Sequence, residues 1–160
     1  RNPDYGREYT EMAFIFVYPM AEGEQGKMYN VNMAVGKNAP NRKDDVMLVQ
    51  YMLKEIYEKP VYDRGTFSKQ QTVMVVDGLC GTITIQWTTR FQLDCRDRFG
   101  HRIVVDGRVD RSSEWTIYTI DYINVAFKKH YPEIWETMPV NPDVPAEVRA
   151  ALLLSMATLG

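Results

Sequence analysis

The feature that most narrows what this chain can fold into is a near-repeat. "VVDGLCG" at Val75 to Gly81 is echoed by "VVDGRVD" at Val104 to Asp110. In both, two valines lead into an Asp-Gly pair, which marks a tight turn. Both are followed by a Ser/Thr region and then a tryptophan, Trp87 or Trp115. The second copy runs into helical periodicity. Trp115, Tyr118, Tyr122 and Val125 share one side, with Ile120, Ile123 and Phe127 beside them, as far as about His130. Asp110, Ser112 or Ser113 are suited to cap it. The first copy is ambiguous. Ile83, Ile85 and Trp87 alternate with Thr82, Thr84 and Gln86, which reads as a strand. Ile83, Trp87 and Phe91 also fall four apart, which reads as a helix face. The echo decides between them, because strand propensity yields readily to tertiary context. A helix is therefore predicted from Thr82 to about Asp97.

A third helix is expected before the repeat. Asp44 is a suitable N-cap, and Val46, Val49, Leu53 and Ile56 form an amphipathic stripe from about Asp45 to Glu58 that Pro60 ends. Ahead of it, "MAFIFVY" at Met12 to Tyr18 and "KMYNVNMAVG" at Lys27 to Gly36 read as an antiparallel β-hairpin around a turn-rich loop. At the other end, "PEIWETMPVNPDVP" holds four prolines in fourteen residues and is expected to be an extended arm. Pro145 then opens a last helix, "AEVRAALLLSMATL", whose Leu152, Leu153 and Leu154 are too apolar for a solvated helix and must pack on the domain or on another subunit. The fold class expected is mainly α: a three-helix core with an N-terminal β-hairpin and a Pro-rich arm leading to a C-terminal helix. The divisions are an N-terminal extension over 1–35, a helical domain over 36–131, and the arm with its helix over 132–160.

Bulk properties exclude several classes. At 160 residues the chain is long enough to bury a core without staples. A net charge of -2 gives no sequence-wide case for nucleic acid or an anionic membrane. No apolar run reaches the length of a membrane span. No export signal is visible, and the chain starts at Arg1, so compartment is open, with envelope, extracellular space or a virion favoured. Cys80 and Cys95, read on one helix, would lie about 22 Å apart and could not bridge. His101 and His130 do not complete a zinc site with them, and neither a metal nor another cofactor is expected.

With those residues in view, the chain resembles the peptidoglycan-binding-like domain family. Its domains open on an Asp-Val-x-x-(Leu/Val)-Gln helix, continue through a D-G-x-x-G turn into a helix ending Phe-Gln, and close with a second D-G turn and a last helix. Asp45-Val46 and Val49-Gln50 match the first element. Asp77, Gly78 and Gly81 match the second, which Phe91-Gln92 closes, and Asp106-Gly107 match the third. The resemblance covers about Val35 to Phe127. It departs in the longer stretch from Tyr57 to Val76 and in Cys80, which stands at a usually apolar position. It implies a three-helix fold and a non-catalytic module that binds peptidoglycan or another cell-wall glycan.

The chemistry of individual residues points the same way. Gly78, Gly81 and Gly107 suit turns that need positive φ, Asp77 and Asp106 suit their own turn's amides, and Gln50 and Gln92 suit loop amides. Asp44-Asp45 and Asp94-Asp97 are acid pairs, but nothing sets either across a cleft with one raised pKa, so no glycosidase pair stands out. The stretch Arg90 to Arg111 holds six arginines against four aspartates. Arg96, Arg98, Arg102 and Arg108 form either a basic edge or a salt-bridged loop. The candidate ligand-binding residues are Asp77, Gly78, Arg98, Arg102, Asp106, Gly107 and Arg108, with no catalytic residue. The alternative expectation is a structural protein of a phage particle or contractile injection apparatus. It would form homo-oligomers or larger assemblies through the hairpin's strand edges and the C-terminal arm. On that view, removing Asn141 to Gly160 leaves a folded monomer.

Overall fold

The computed structural model describes residues 12–20, 25–58, 67–113 and 116–159. Trp115 and Pro60 lie outside them. The chain is mainly α. Its helices are α1 (Lys43–Glu58), α2 (Thr82–Phe99), α3 (Thr119–His130), α4 (Pro132–Thr137) and α5 (Ala146–Leu159). Its strands are β1 (Phe14–Pro19), β2 (Gln25–Asn30), β3 (Val35–Gly36) and β4 (Arg108–Val109).

Helix α1 is the central element. Every residue from Asp45 to Leu53 is buried, a pattern expected only of a helix packed all round. Its neighbours are α2, α3 and α5. The ambiguous stretch after Asp77-Gly78 is the helix α2. It buries Trp87, Phe91 and Cys95 and ends at Gly100 in the left-handed conformation, with the amides of Gly100 and His101 returning to Cys95 O. Cys80 stands just before the helix, so the two thiols do not share it, and both are free.

Four expectations need correction. First, the strand after the hairpin loop stops at Asn30. Val35 and Gly36 pair instead with Val109 and Arg108, tying the start of the helical region to the second Asp-Gly turn. Second, α3 starts at Thr119, not at the expected caps. Ser112 Oγ donates to Asp121 Oδ2, and that same carboxylate accepts the Tyr118 amide at the helix start. Third, Asp44 lies inside the first turn of α1. Its carboxylate accepts from the Ala13 amide at 2.5 Å rather than from its own helix. Fourth, the Pro-rich arm is not extended. Pro132 occupies the first turn of α4, where a missing N–H costs nothing. Trp135, Met138 and Val144 beyond it are buried.

The core draws on all three sequence divisions. Ala13, Ile15, Met28 and Tyr29 of the hairpin, the middle of α1, α2 and α3, and Trp135, Val148, Ala151 and Leu152 belong to one apolar cluster. The hairpin is regular, from Phe14 opposite Asn30 to Pro19 opposite Gln25. Its outward backbone groups are taken by helices. Ser155 Oγ of α5 accepts the Ile15 amide at 3.0 Å. Asn124 of α3 receives the Tyr29 amide at 2.9 Å and donates to the Tyr29 carbonyl at 2.8 Å. At these positions the hairpin has no open edge for strand exchange, contrary to the edges expected from sequence.

Candidate functional site

The two Asp-Gly turns are built alike. Gln50 lies fully buried on α1. Its Oε1 accepts the amides of Asp77 (3.1 Å) and Gly78 (2.9 Å). Its Nε2 donates to Asp77 Oδ1, the Leu79 carbonyl and Thr84 Oγ1 at 3.2, 3.0 and 3.0 Å. Gln92 on α2 repeats this with Asp106, Gly107, Arg108 and Thr119 at 2.8 to 3.1 Å. Asp77 and Asp106 each close the turn by accepting the amide two residues on. A glutamine side chain is uniquely suited here. One end accepts two adjacent N–H groups while the other donates to a carbonyl and a carboxylate, so the turn is satisfied without water.

Gly78 and Gly107 are required, whereas Gly81, also expected at positive φ, is extended with φ of -109°. Gly78 has φ of 76° and packs on Lys43, and Gly107 has φ of 71° with Thr89 Oγ1 and Ile85 about a Cβ contact away. The segment from Gly36 to Lys43 runs between the turns. Its Lys37 amide donates to the Gly107 carbonyl at 3.1 Å, and its Lys43 end meets Gly78. The Arg108 guanidinium straps the second turn down, donating to the carbonyls of Lys37 and Asn38 and to Asp110. Five candidate residues, Asp77, Gly78, Asp106, Gly107 and Arg108, thus flank one short loop.

Arg98 and Arg102 are elsewhere. Arg98 lies about 21 Å along α2 from Thr84, which contacts the first turn. Its guanidinium is 3.2 Å from Asp94. The Asp94 carboxylate is buried and also accepts from Tyr57 OH, the Ser68 amide and Ser68 Oγ. Arg98 is therefore the outer member of a structural network, and Arg102 is exposed beyond the helix end. Arg96 pairs with its neighbour Asp97. The basic stretch is spread over several local partners.

An open groove of about 390 Å³ adjoins the first turn. Gln50 and Asp77 line it together with Val73, Val75, Leu79 and Ile83. Val73, Val75 and Leu79 are 68%, 62% and 71% exposed, so an apolar lip stands around a carboxylate. A second open groove of about 400 Å³ lies between the Gln70–Thr72 segment and Ile85, Gln86 and Thr89 of α2. The valines before the first Asp-Gly pair were visible in the sequence. Their unequal exposure was not, because Met74 is buried and Val76 packs partly against the core, which leaves Val73 and Val75 outside.

Titratable groups inside the fold have perturbed equilibria. Burial pushes the Asp45 carboxyl up to about 7, against the opposing pull of the Asn32 and Met33 amides that donate to it. Burial likewise raises Asp121 and pushes the Cys95 thiol up to about 12. Both carboxyls hold backbone amides near helix starts, a structural task. Among the described residues no group of three or more His, Cys, Asp or Glu side chains is placed to hold a metal ion. Nor is any helix long and apolar enough to cross a membrane.

Fold and site together define a mainly α chain organised around two glutamine-clamped Asp-Gly turns. No protein-family model matches the chain, and no curated protein or solved structure matches it either.

Proposed function

We propose that this chain is a non-catalytic module that binds peptidoglycan or another cell-wall glycan, in an envelope- or virion-associated protein. The observation that carries the reading is the duplicated clamp. Gln50 and Gln92 sit where the peptidoglycan-binding-like pattern has its glutamines, and each holds the Asp-Gly turn that precedes the next helix. That order supports assigning the three-helix core of that family to α1, α2 and α3. The groove beside the first turn suits a glycan chemically. Sugar rings offer C–H faces to Val75 and Leu79, and hydroxyl or acetamido N–H groups to Asp77.

Cosedimentation with purified peptidoglycan sacculi, with light scattering on the same sample, tests this. The expected result is a cosedimenting monomer whose binding is lost in Val75→Asp and Leu79→Asp while the helical circular dichroism persists. Charge reversal at Arg98 and Arg102 tests the basic edge separately. Binding that survives in the two groove variants would remove the groove from the reading, and no cosedimentation of the parent protein would overturn it.

A second reading, assembly through subunit contacts, is favoured by one feature. Helix α5 is apolar on both sides, and Leu153, Leu154 and Met156 face solvent. A discrete oligomer without wall binding would support it. The arm is not a removable device in either case. Val144, Val148 and Leu152 are buried, so deletion of 141–160 opens the core instead of leaving a folded monomer.

A further inference from the structure

Away from both turns, the C-terminal half of α2 and the outer side of α3 enclose a cleft of about 120 Å³. Its walls are mostly rings: Phe67, Phe91, Phe99, His101, Tyr122 and His130. Phe67 is the hub. It stacks on Phe91 at 5.9 Å and meets Phe99 and His130 edge-on at 5.2 and 6.0 Å. On the far side His101 stacks on Tyr122 at 4.5 Å. Phe91 is fully buried and Phe99 and His101 are exposed, so the cleft has an apolar floor and an open mouth.

Size and charge both restrict what fits. A dry apolar cavity of roughly 150 Å³ is enough for a benzene-sized guest. Drug-sized ligands need several hundred Å³. At about 120 Å³ the cleft is smaller than that, so it seats a single ring at most, held partly in its open mouth. Among the described residues no carboxylate lines it, whereas Lys129 does. Asp94, next to the lining Cys95, is already engaged by Tyr57, Ser68 and Arg98. Lys129 is exposed and forms no ion pair among the described residues.

We propose that this cleft is a binding site for a small ring-bearing carboxylate. The ring enters between the Phe67 cluster and the His101–Tyr122 stack, and the carboxylate is met by Lys129. The site is independent of the turns and of the apolar groove, so its fate does not depend on wall binding.

The test is a titration of the full chain with benzoate, followed through the imidazole NMR signals of His101 and His130. Benzyl alcohol supplies the ring without the charge, and acetate the charge without the ring. Benzoate is expected to shift both imidazoles saturably at millimolar concentration. Benzyl alcohol should bind about fivefold more weakly, the share of a partly exposed ion pair. Lys129→Ala should remove that difference and leave the benzyl alcohol affinity unchanged. Phe99→Ala should weaken both ring ligands. No saturable shift with benzoate would overturn the proposal. Equal affinity for benzoate and benzyl alcohol, or for benzoate and acetate, would overturn it as well.

Discussion

Gln50 and Gln92 hold their Asp-Gly turns through the same five hydrogen bonds, atom for atom. One sits on α1 and reaches forward to the start of α2. The other sits on α2 and reaches forward to the start of α3. The molecule is therefore a chain of two equivalent hand-offs, each fixing where the next helix begins.

Removing either glutamine should be costly. Gln50→Ala and Gln92→Ala leave two turn amides and a carbonyl without their partner, the glycine amide in a buried place and the others half-buried. A loss of about 2–4 kcal/mol each is expected from chemical denaturation. Gln→Glu at either position should be no milder. The carboxylate still accepts the two amides, but it faces Asp77 Oδ1 or Asp106 Oδ1 and donates nothing. A Gln→Glu variant as stable as the parent would show that the donor end contributes little.

Asp45 should make stability depend on pH in an unusual direction. Its folded value, about 7, lies above its unfolded value of 3.8. The folded state thus binds more protons between those limits, and Asp45's contribution to stability falls as pH rises from about 4 to about 7. The slope is at most about 1.4 kcal/mol per pH unit. Asp45→Asn should flatten the profile over that window. The direct measurement is the carboxyl carbon titration of Asp45, and a midpoint near 4 would refute the claim.

Hydrogen exchange reads the hairpin's anchorage. Asn124 uses its whole amide, receiving the Tyr29 amide and Trp135 Nε1 and donating to the carbonyls of Tyr29 and Ile120. Asn124→Ala should speed exchange at Tyr29 and Trp135 Nε1 by more than tenfold, with about 2–4 kcal/mol lost. Ser155→Ala should speed exchange at Ile15 with a smaller loss.

The thiols should differ sharply. Cys95 is buried beside Asp94, with its pKa pushed up to about 12, and the partly exposed Cys80 is raised by burial to a lesser extent. Ellman's reagent at neutral pH should titrate Cys80 slowly in the native protein and Cys95 only after unfolding. Two equally fast thiols would contradict the packing of α2.

Much of this was legible one element at a time. The helix over Thr82 to Phe99 was readable because Asp77-Gly78 and Asp106-Gly107 share a context, although Thr82 to Trp87 alternates like a strand. The glutamines were readable as loop clamps from their position near helix ends. What failed was whatever depended on distant partners. Pro132 suggested an extended arm because proline breaks helix interiors, yet at a first turn it fits, and Trp135 earns its burial from Tyr29, far away in the chain. Val35 and Gly36 looked like the end of a hairpin strand, but their partners are Val109 and Arg108. The ring cleft gave no local signal at all, since Phe67, Phe99 and Tyr122 come from three separate segments. The charge count over Arg90 to Arg111 left a basic edge or a salt-bridged loop open, and Arg96, Arg98 and Arg108 pair with local aspartates.

The bond between Ile15 and Ser155 joins residues 140 positions apart. A chain made from its N-terminus exposes β1 long before α5 exists to cover it. During synthesis that strand, "FIFVY", has an uncovered side and a sequence prone to pair with other strands. The order of manufacture therefore sets a window of aggregation risk that closes only when α5 emerges, and a chaperone that shields β1 would act in that window.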